Sequence, residues 1–480
     1  MNSGSDSTSI RKVLSEYRIF IIILILGAIV WMIVFNAAAI NFLAGSRTQP
    51  HRAVWTGIIQ FDLLGSPIKF QMEGYIDYDY YYMSWGEQFL SGHIPYTADF
   101  DSFILDGTTY NTPFFLPPLY VLLCALGRLL PIQPFGIGAL ISIFGYMTAF
   151  PIYGIGKYLS HNPRIGEAAA LTYLLNPLVL YHTVYVWLNP APFVFFTMLS
   201  FYLLMKNRPY AGVASIVIAF MFKQTALFLG LPVVAYVLKK RPSFAPDDES
   251  DAEDADKFDF KGFTKVSIVA ILVFLIISLP YLYDPLNYLE HLFVRPGVVS
   301  LDDFQNPPKI GTPIVMAVLF IVSNTSPELS SFINYIQYTS VGLLIGILPI
   351  LGLMLIEKKD DKNLQYYWRR IFYLSLLLVL WLHLWSPRGI YKYYLVLLIP
   401  FLTILTSSRI CSGHEEKIEL TARMIVLPFI LTLFILLPLR IYYLFFLFMI
   451  FLGYVAQRYF GEATALISQT IRGILRKPKM

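Results

Sequence analysis

A polytopic α-helical membrane protein is the fold class this sequence predicts, and three observations carry the prediction. Of 480 residues, 56% are hydrophobic and 14% charged, and the mean hydropathy is +0.60. A soluble chain of this length could not cover itself with polar surface. Apolar runs of membrane-spanning length recur along the chain, and Lys and Arg gather in alternate connections between them. The net charge of +5 sits in those short loops, where it reports orientation and gives no reason to expect nucleic acid. The two cysteines, Cys124 and Cys411, lie far apart and on opposite sides of the expected membrane, so neither a disulfide framework nor a CxxC metal site is available.

The first span is the uncharged run 19–40, about the 20 residues a crossing needs. Its Ala37-Ala38-Ala39 resembles a signal-peptide cleavage site, but the run is longer than a signal core and reads as a retained helix. Further apolar segments cover 135–158, 168–187, 192–205, 210–222, 226–238, 266–283, 335–356, 371–385, 393–405, 424–437 and 441–455, for 12 candidates in all. Two more apolar stretches, 113–130 and 313–322, each begin at a proline and are too short to cross. Excluding them places 26 of the 36 Lys and Arg in cytoplasmic segments with both termini inside, the positive-inside pattern.

The organisation that follows is a cytoplasmic N-terminus (1–18), a first transmembrane helix (19–42) and an extracytoplasmic loop with juxtamembrane helices (43–134). Transmembrane helices (135–238), an acidic cytoplasmic linker (239–265), C-terminal transmembrane helices (266–456) and a basic cytoplasmic tail (457–480) complete it. The run DDESDAEDADKFD at 247–259 cannot bury its like charges and reads as solvated linker. Loop 43–134 is too long for a turn, and its aromatic richness argues against disorder.

The chemistry-bearing piece of that loop is YIDYDYYYMSWGEQFLSGHIPY, 75–96. Asp77 and Asp79 flank a tyrosine, and 84–90 reads as a short helix ended by Gly92 and Pro95. An aromatic belt at the lipid headgroups with incidental acids is the alternative. Cations on the same outer side bear on that choice: Lys223 between two apolar segments, Arg295 after residue 283, and Arg388 and Lys392 in SPRGIYKYY. Taken singly, each could snorkel to the interface. Together with the acids they outline a site that holds a phosphate and deprotonates a group beside it.

The order of these features resembles the GT-C type of integral-membrane glycosyltransferases. First helix, Asp-bearing outer loop, Gly92-x-x-Pro95-Tyr96, then Tyr110-Asn111-Thr112-Pro113 through Pro117-Pro118-Leu119 is the series that carries it. It is most similar to the polyprenyl-phosphate-mannose-dependent mannosyltransferases, such as the first mannosyltransferase of GPI-anchor assembly and the bacterial enzymes that extend phosphatidylinositol mannosides. Asn176-Pro177, Trp187-Leu188-Asn189-Pro190, Phe222-Lys223 leading to Leu231-Pro232, and Lys392-Tyr393-Tyr394 leading to Ile399-Pro400 occupy matching positions. Coverage is strong to about residue 240, patchy to 405 and absent afterwards. A departure is Trp187-Leu188-Asn189, where many relatives carry Gly-Gln or an Asp, and it bears on how donor and acceptor are held.

The resemblance implies a GT-C-like fold in which the Pro-Pro-Leu segment forms a juxtamembrane helix on the outer face. It also implies a hexosyltransferase, expected to be a mannosyltransferase, that moves a sugar from a polyprenyl-phosphate donor to a lipid-linked or glycan acceptor by inverting displacement. Asp77 or Asp79 would be the general base, and Arg388, Lys392, Arg295 and Lys223 would meet the donor phosphate. Tyr80, Tyr81, Glu87, Tyr96 and Tyr110 are the candidate substrate contacts. No cofactor is expected; a divalent metal on the two carboxylates is the less favoured option. Expected partners are the donor, the acceptor and membrane lipids, with no protein subunit named. A lipid or small-molecule transporter or flippase is the alternative, though neither an inverted repeat nor an acid inside an apolar span is visible. A non-catalytic scaffold subunit would not explain why acids and cations gather on one side.

Overall fold

The computed structural model describes residues 17–48, 57–72, 74–105, 108–111, 114–239, 258–294, 340–357, 364–385, 392–406, 417–438 and 443–456, with the single residues 326, 328 and 359. The protein is mostly helical. The first helix, α1 (Arg18–Thr48), turns Ile22, Ile25, Ile29, Met32 and Ile33 outward. A face of large aliphatic side chains this long is stable against lipid and not against water. Its other face joins the bundle. Trp31 Nε1 donates to the Leu174 carbonyl at 2.7 Å, and Tyr146 Oη donates to the Leu24 carbonyl at 2.6 Å.

After α1 the long loop contains two antiparallel hairpins, which the apolar pattern does not predict. Strands β1 (Gly57–Leu63) and β2 (Ser66–Met72) pair Phe61 with Ile68, and β3 (Ser102–Leu105) and β4 (Thr108–Asn111) pair Phe103 with Tyr110. Between them a π-helical segment, Asp77–Tyr82, runs directly into α2 (Met83–Leu90). The segment from Pro117 forms α3 (Pro118–Leu129), with proline at its first turn. At about 18 Å it is too short to cross a bilayer. It packs along α2 so closely that a Cβ on Gly86 would lie 2.9 Å from the Cys124 carbonyl oxygen. The short helices expected in this loop are thus α2 and α3.

The core continues with α4 (Gly136–Met147), α5 (Ala149–Ser160), α6 (Pro163–Leu174), α7 (Pro190–Met205), α8 (Pro209–Phe222) and α9 (Ala226–Leu238). The apolar run 168–187 is not one helix. Asn176 stops α6, its side chain accepts from the N–H groups of Leu178 and Val179, and its amide donates to Thr432 Oγ1 at 2.9 Å. Pro177 then restarts a helical turn that passes into the π-helical stretch Leu180–Tyr185. Small residues let the helices approach, as membrane interfaces favour: a Cβ on Gly156 of α5 would sit 2.9 Å from the Gly166 Cα of α6.

Helix α10 (Phe260–Ser278) begins six residues before the expected span, capped by the Asp259 carboxylate on the Gly262 N–H at 2.8 Å. The rest of the acidic run 247–259, save Phe258, lies outside the described residues. The C-terminal part comprises α11 (Ser340–Ile356), α12 (Leu364–Leu384), a 3₁₀ stretch (Lys392–Leu397) leading into α13 (Leu398–Ile404), α14 (Arg423–Leu436) and α15 (Tyr443–Ala456). Among the described residues three helices are individually long and apolar enough to cross: 18–44, 136–160 and 260–281. Apart from α12, which has 21 residues but carries Arg369, Arg370 and His383, the other apolar helices are shorter, several of them broken or preceded by Pro.

The two ends of the bundle differ chemically. At one end Arg369 Nε donates to the Leu159 carbonyl at 2.6 Å, Asn162 Nδ2 to Ile418 O at 2.8 Å and Lys359 Nζ to Tyr236 O at 3.0 Å. Lys157, Arg164 and Lys417 share this basic end. The Asp77 segment lies at the other.

Trp187 ties the outer loop to that second end. It is fully buried with a left-handed φ of 51°, and its ring contacts Phe35, Phe42, Tyr75, Tyr78 and Phe135. Gly138 is where that ring needs space, since a Cβ there would meet it at 2.7 Å. Gly138→Ala should therefore cost about 1–3 kcal/mol through overpacking, measured as a lower unfolding temperature in detergent.

Candidate functional site

The geometry of the acid segment is set by its tyrosines. Tyr75 is buried and donates to the Ala38 carbonyl of α1 at 3.2 Å. Tyr78 is fully buried; its hydroxyl donates to Pro134 O at 2.7 Å and accepts from the Gly138 N–H at 3.1 Å. With Tyr78 driven into the core, Asp77 and Asp79 leave it on either side. Residues two apart in a helix of about four residues per turn lie roughly half a turn from one another, so the two carboxylates do not share one pocket.

Asp77 faces the bundle. It is half-buried and acts electrostatically on Lys223, Tyr82, Tyr120 and Tyr393. Tyr82 and Tyr120 are buried with ring centroids 5.1 Å apart, and burial pushes both hydroxyls well above the ordinary tyrosine range. Asp79, also half-buried, acts on its neighbour Tyr78.

Lys223 is the cation opposite Asp77. Helix α8 ends at Phe222, and Lys223 turns to extended backbone with φ −157°. Its side chain is buried, Nζ donates to Asn189 Oδ1 at 2.5 Å, and the Tyr394 ring centroid lies 3.8 Å away. Tyr393 and Phe193 stand at 5.4 and 5.9 Å. In this turn between α8 and α9, burial pushes the ammonium well below its ordinary range and Asp77 opposes that shift. Behind it, His383 Nδ1 donates to the Val379 carbonyl at 2.5 Å, and the ring also bonds the Tyr394 backbone. The neighbouring Gln224 amide donates to Phe115 O at 2.6 Å, clamping the turn to the stretch before α3. An acid, a buried ammonium, an amide and tyrosines from four separate parts of the chain thus meet at one end of the bundle.

The other candidate residues distribute differently. Lys392 is buried, but its Nζ donates to the carbonyls of Leu436 and Pro438 at 2.8 and 2.5 Å, where it caps the C-terminal end of α14. Glu87 is exposed and pairs with Arg128 across α2 and α3. Tyr96 is buried with φ 69°; its hydroxyl donates to Leu116 O at 2.9 Å, and its carbonyl accepts from Asn287 Nδ2 at 2.6 Å. It anchors the Gly-x-x-Pro-Tyr turn to the segment after α10. Tyr80 and Tyr81 are half-buried and touch edge to face at 5.0 Å. The Tyr110 backbone lies in β4, and Arg295, Arg388 and Cys411 fall outside the described residues. Asn189, His383 and Tyr394 were not among the site residues read from the sequence. Asn189 could have been found in the Asn-Pro motif and Tyr394 in Lys392-Tyr393-Tyr394, but nothing local marks His383.

No curated protein matches the chain significantly. Among solved structures, the apo oligosaccharyltransferase of Archaeoglobus fulgidus is similar at 12% identity with a TM-score of 0.39, over 84% of this chain and 54% of that one. The chain thus spans about half the length of that protein. The model of the family described as GPI transamidase subunit PIG-U matches residues 104–312, less than half of the chain. That match takes in Asn189 and Lys223 and stops short of Asp77 on one side and Tyr393 and Tyr394 on the other.

Proposed function

We propose that this protein transfers a sugar, expected to be mannose, from a polyprenyl-phosphate donor to a lipid-linked or glycan acceptor, with Asp77 as general base. The observation that carries the reading is Asp77 itself, a half-buried carboxylate facing a buried lysine. Attack of the acceptor hydroxyl oxygen on the anomeric carbon breaks the bond from that carbon to the phosphate oxygen. The electron pair leaves with the polyprenyl phosphate, and Asp77 takes the hydroxyl proton. Configuration inverts because no enzyme nucleophile intervenes. Lys223 faces Asp77 across the site, and Arg295 and Arg388 neutralise the departing phosphate. Lys392, committed to α14, positions Tyr393 and Tyr394 against Lys223.

A second reading is favoured by the family match at 104–312: a subunit of a GPI-transamidase-like assembly that recognises a glycolipid and performs no transfer. Purified protein incubated with labelled polyprenyl-phosphate mannose or glucose and a membrane lipid extract separates the two. A labelled product lipid is expected from the mannose donor. No product with either donor, together with copurification of further subunits, would replace the transferase reading with the subunit reading.

A further inference from the structure

The basic end of the bundle carries a crevice that sugar transfer does not use. It lies between α14 and α15 and has a volume of about 450 Å³. Two stripes at helical spacing form its walls: Leu427, Leu431 and Phe434 on α14, and Phe446, Met449 and Gly453 on α15. Rings of Phe434 and Phe446, 5.1 Å apart, close the far end. The near end holds Thr406, whose hydroxyl is spent on the Leu402 carbonyl, and Arg423. Phe434 and Met449 are each 49% exposed, so the crevice opens sideways to where lipid lies. From Arg423 to Phe434 the helix rises about 16 Å, close to half of a ~30 Å hydrocarbon core. That is the depth of one acyl chain.

The charge at the mouth selects the headgroup. Arg423 is exposed in the first turn of α14, where the helix dipole is already positive and a cation is disfavoured unless an anion is shared. Lys417 stands a few residues before it; Glu419 is the acid of this stretch and does not line the crevice. A guanidinium fork matches phosphate oxygens in pairs. Ile418 bonds to Ser160 and Asn162, so the mouth is at the end that carries Lys157 and Arg164, the leaflet where anionic lipids concentrate. We propose that this crevice binds one anionic phospholipid of the bilayer, an acyl chain between α14 and α15 and its phosphate on Arg423.

Native mass spectrometry of the purified full chain in detergent, with dimyristoyl phosphatidylglycerol or dimyristoyl phosphatidylcholine added, tests this. One phosphatidylglycerol should be retained, with about a fivefold preference over phosphatidylcholine. Arg423→Gln should erase the preference while a lipid chain still binds. Gly453→Leu should exclude both lipids; a Cβ at Gly453 meets no atom within 4 Å, so the variant folds, as size exclusion and thermal unfolding would register. Arg164→Gln, a cation at the same end but paired with Glu167, should change neither lipid. Equal retention of the two lipids, a preference that survives Arg423→Gln, or undiminished binding by Gly453→Leu would each overturn the proposal. Retention of neither lipid would overturn it too, and would assign the crevice to the chain's own segments.

Discussion

Asp77→Asn should lower sugar transfer by about 10²–10⁴-fold, the usual contribution of a positioned general base, whereas Asp79→Asn should stay close to the unaltered protein. The asymmetry follows from Tyr78. Its hydroxyl bonds to Pro134 and Gly138 fix the rotation of the segment, and that rotation sends Asp77 toward Lys223 and Asp79 to the other side. Initial rates with a labelled donor measure the effect, and donor-lipid binding by Asp77→Asn should be retained because the substitution removes a proton acceptor and little volume. An equal loss in both variants would mean that the acids act as a pair, and full turnover by Asp77→Asn would remove it as the base.

Lys223→Met is the second large effect, and it should appear in both stability and activity. The substitution deletes a charge-assisted hydrogen bond to Asn189 worth about 1.5–3 kcal/mol and a desolvated cation–ring contact with Tyr394 worth about 1–2 kcal/mol. It leaves the Asn189 carbonyl oxygen buried without that donor and Asp77 without its nearby cation. Transfer should fall as well, measured as the initial rate with a labelled donor. Thermal unfolding of Lys223→Met, Asp77→Asn and the double variant supplies the control. If the two groups interact, the double variant loses less stability than the singles together, by about 0.5–3 kcal/mol. Additivity would separate them.

Much of the architecture was legible before folding was considered. Apolar run length gave most of the helices, because it reports a local exchange of water for lipid, but not all of their bounds: α10 and α12 begin six and seven residues before the expected spans, and 168–187 divides at Asn176. Pro117-Pro118-Leu119 marked the start of a 12-residue helix. The hairpins have no clear two-residue alternation of apolar and polar side chains: Ile58-Ile59 in β1 are adjacent, and β3 and β4 are only four residues each. The break at Asn176-Pro177 was read as helix interior, since hydropathy does not register that an asparagine can supply both a cap and a bond to Thr432.

The site divides in the same way. The sequence by itself pointed to a helical membrane protein with an acid pair in its first long loop, and to cations expected on the same side. It could not rank Asp77 against Asp79, nor see that Lys392 serves α14, that Glu87 serves α3 or that Tyr96 serves the segment after α10. Those assignments depend on partners that lie from 20 to 191 positions away in the chain. Only the tertiary structure brings those partners together, because the burial of Tyr78 fixes which face of a single turn looks inward and sets Asp77 toward Lys223. The turn after α8, held by Asn189 of the α7 N-terminus and the Tyr394 ring, then decides which lysine that face meets.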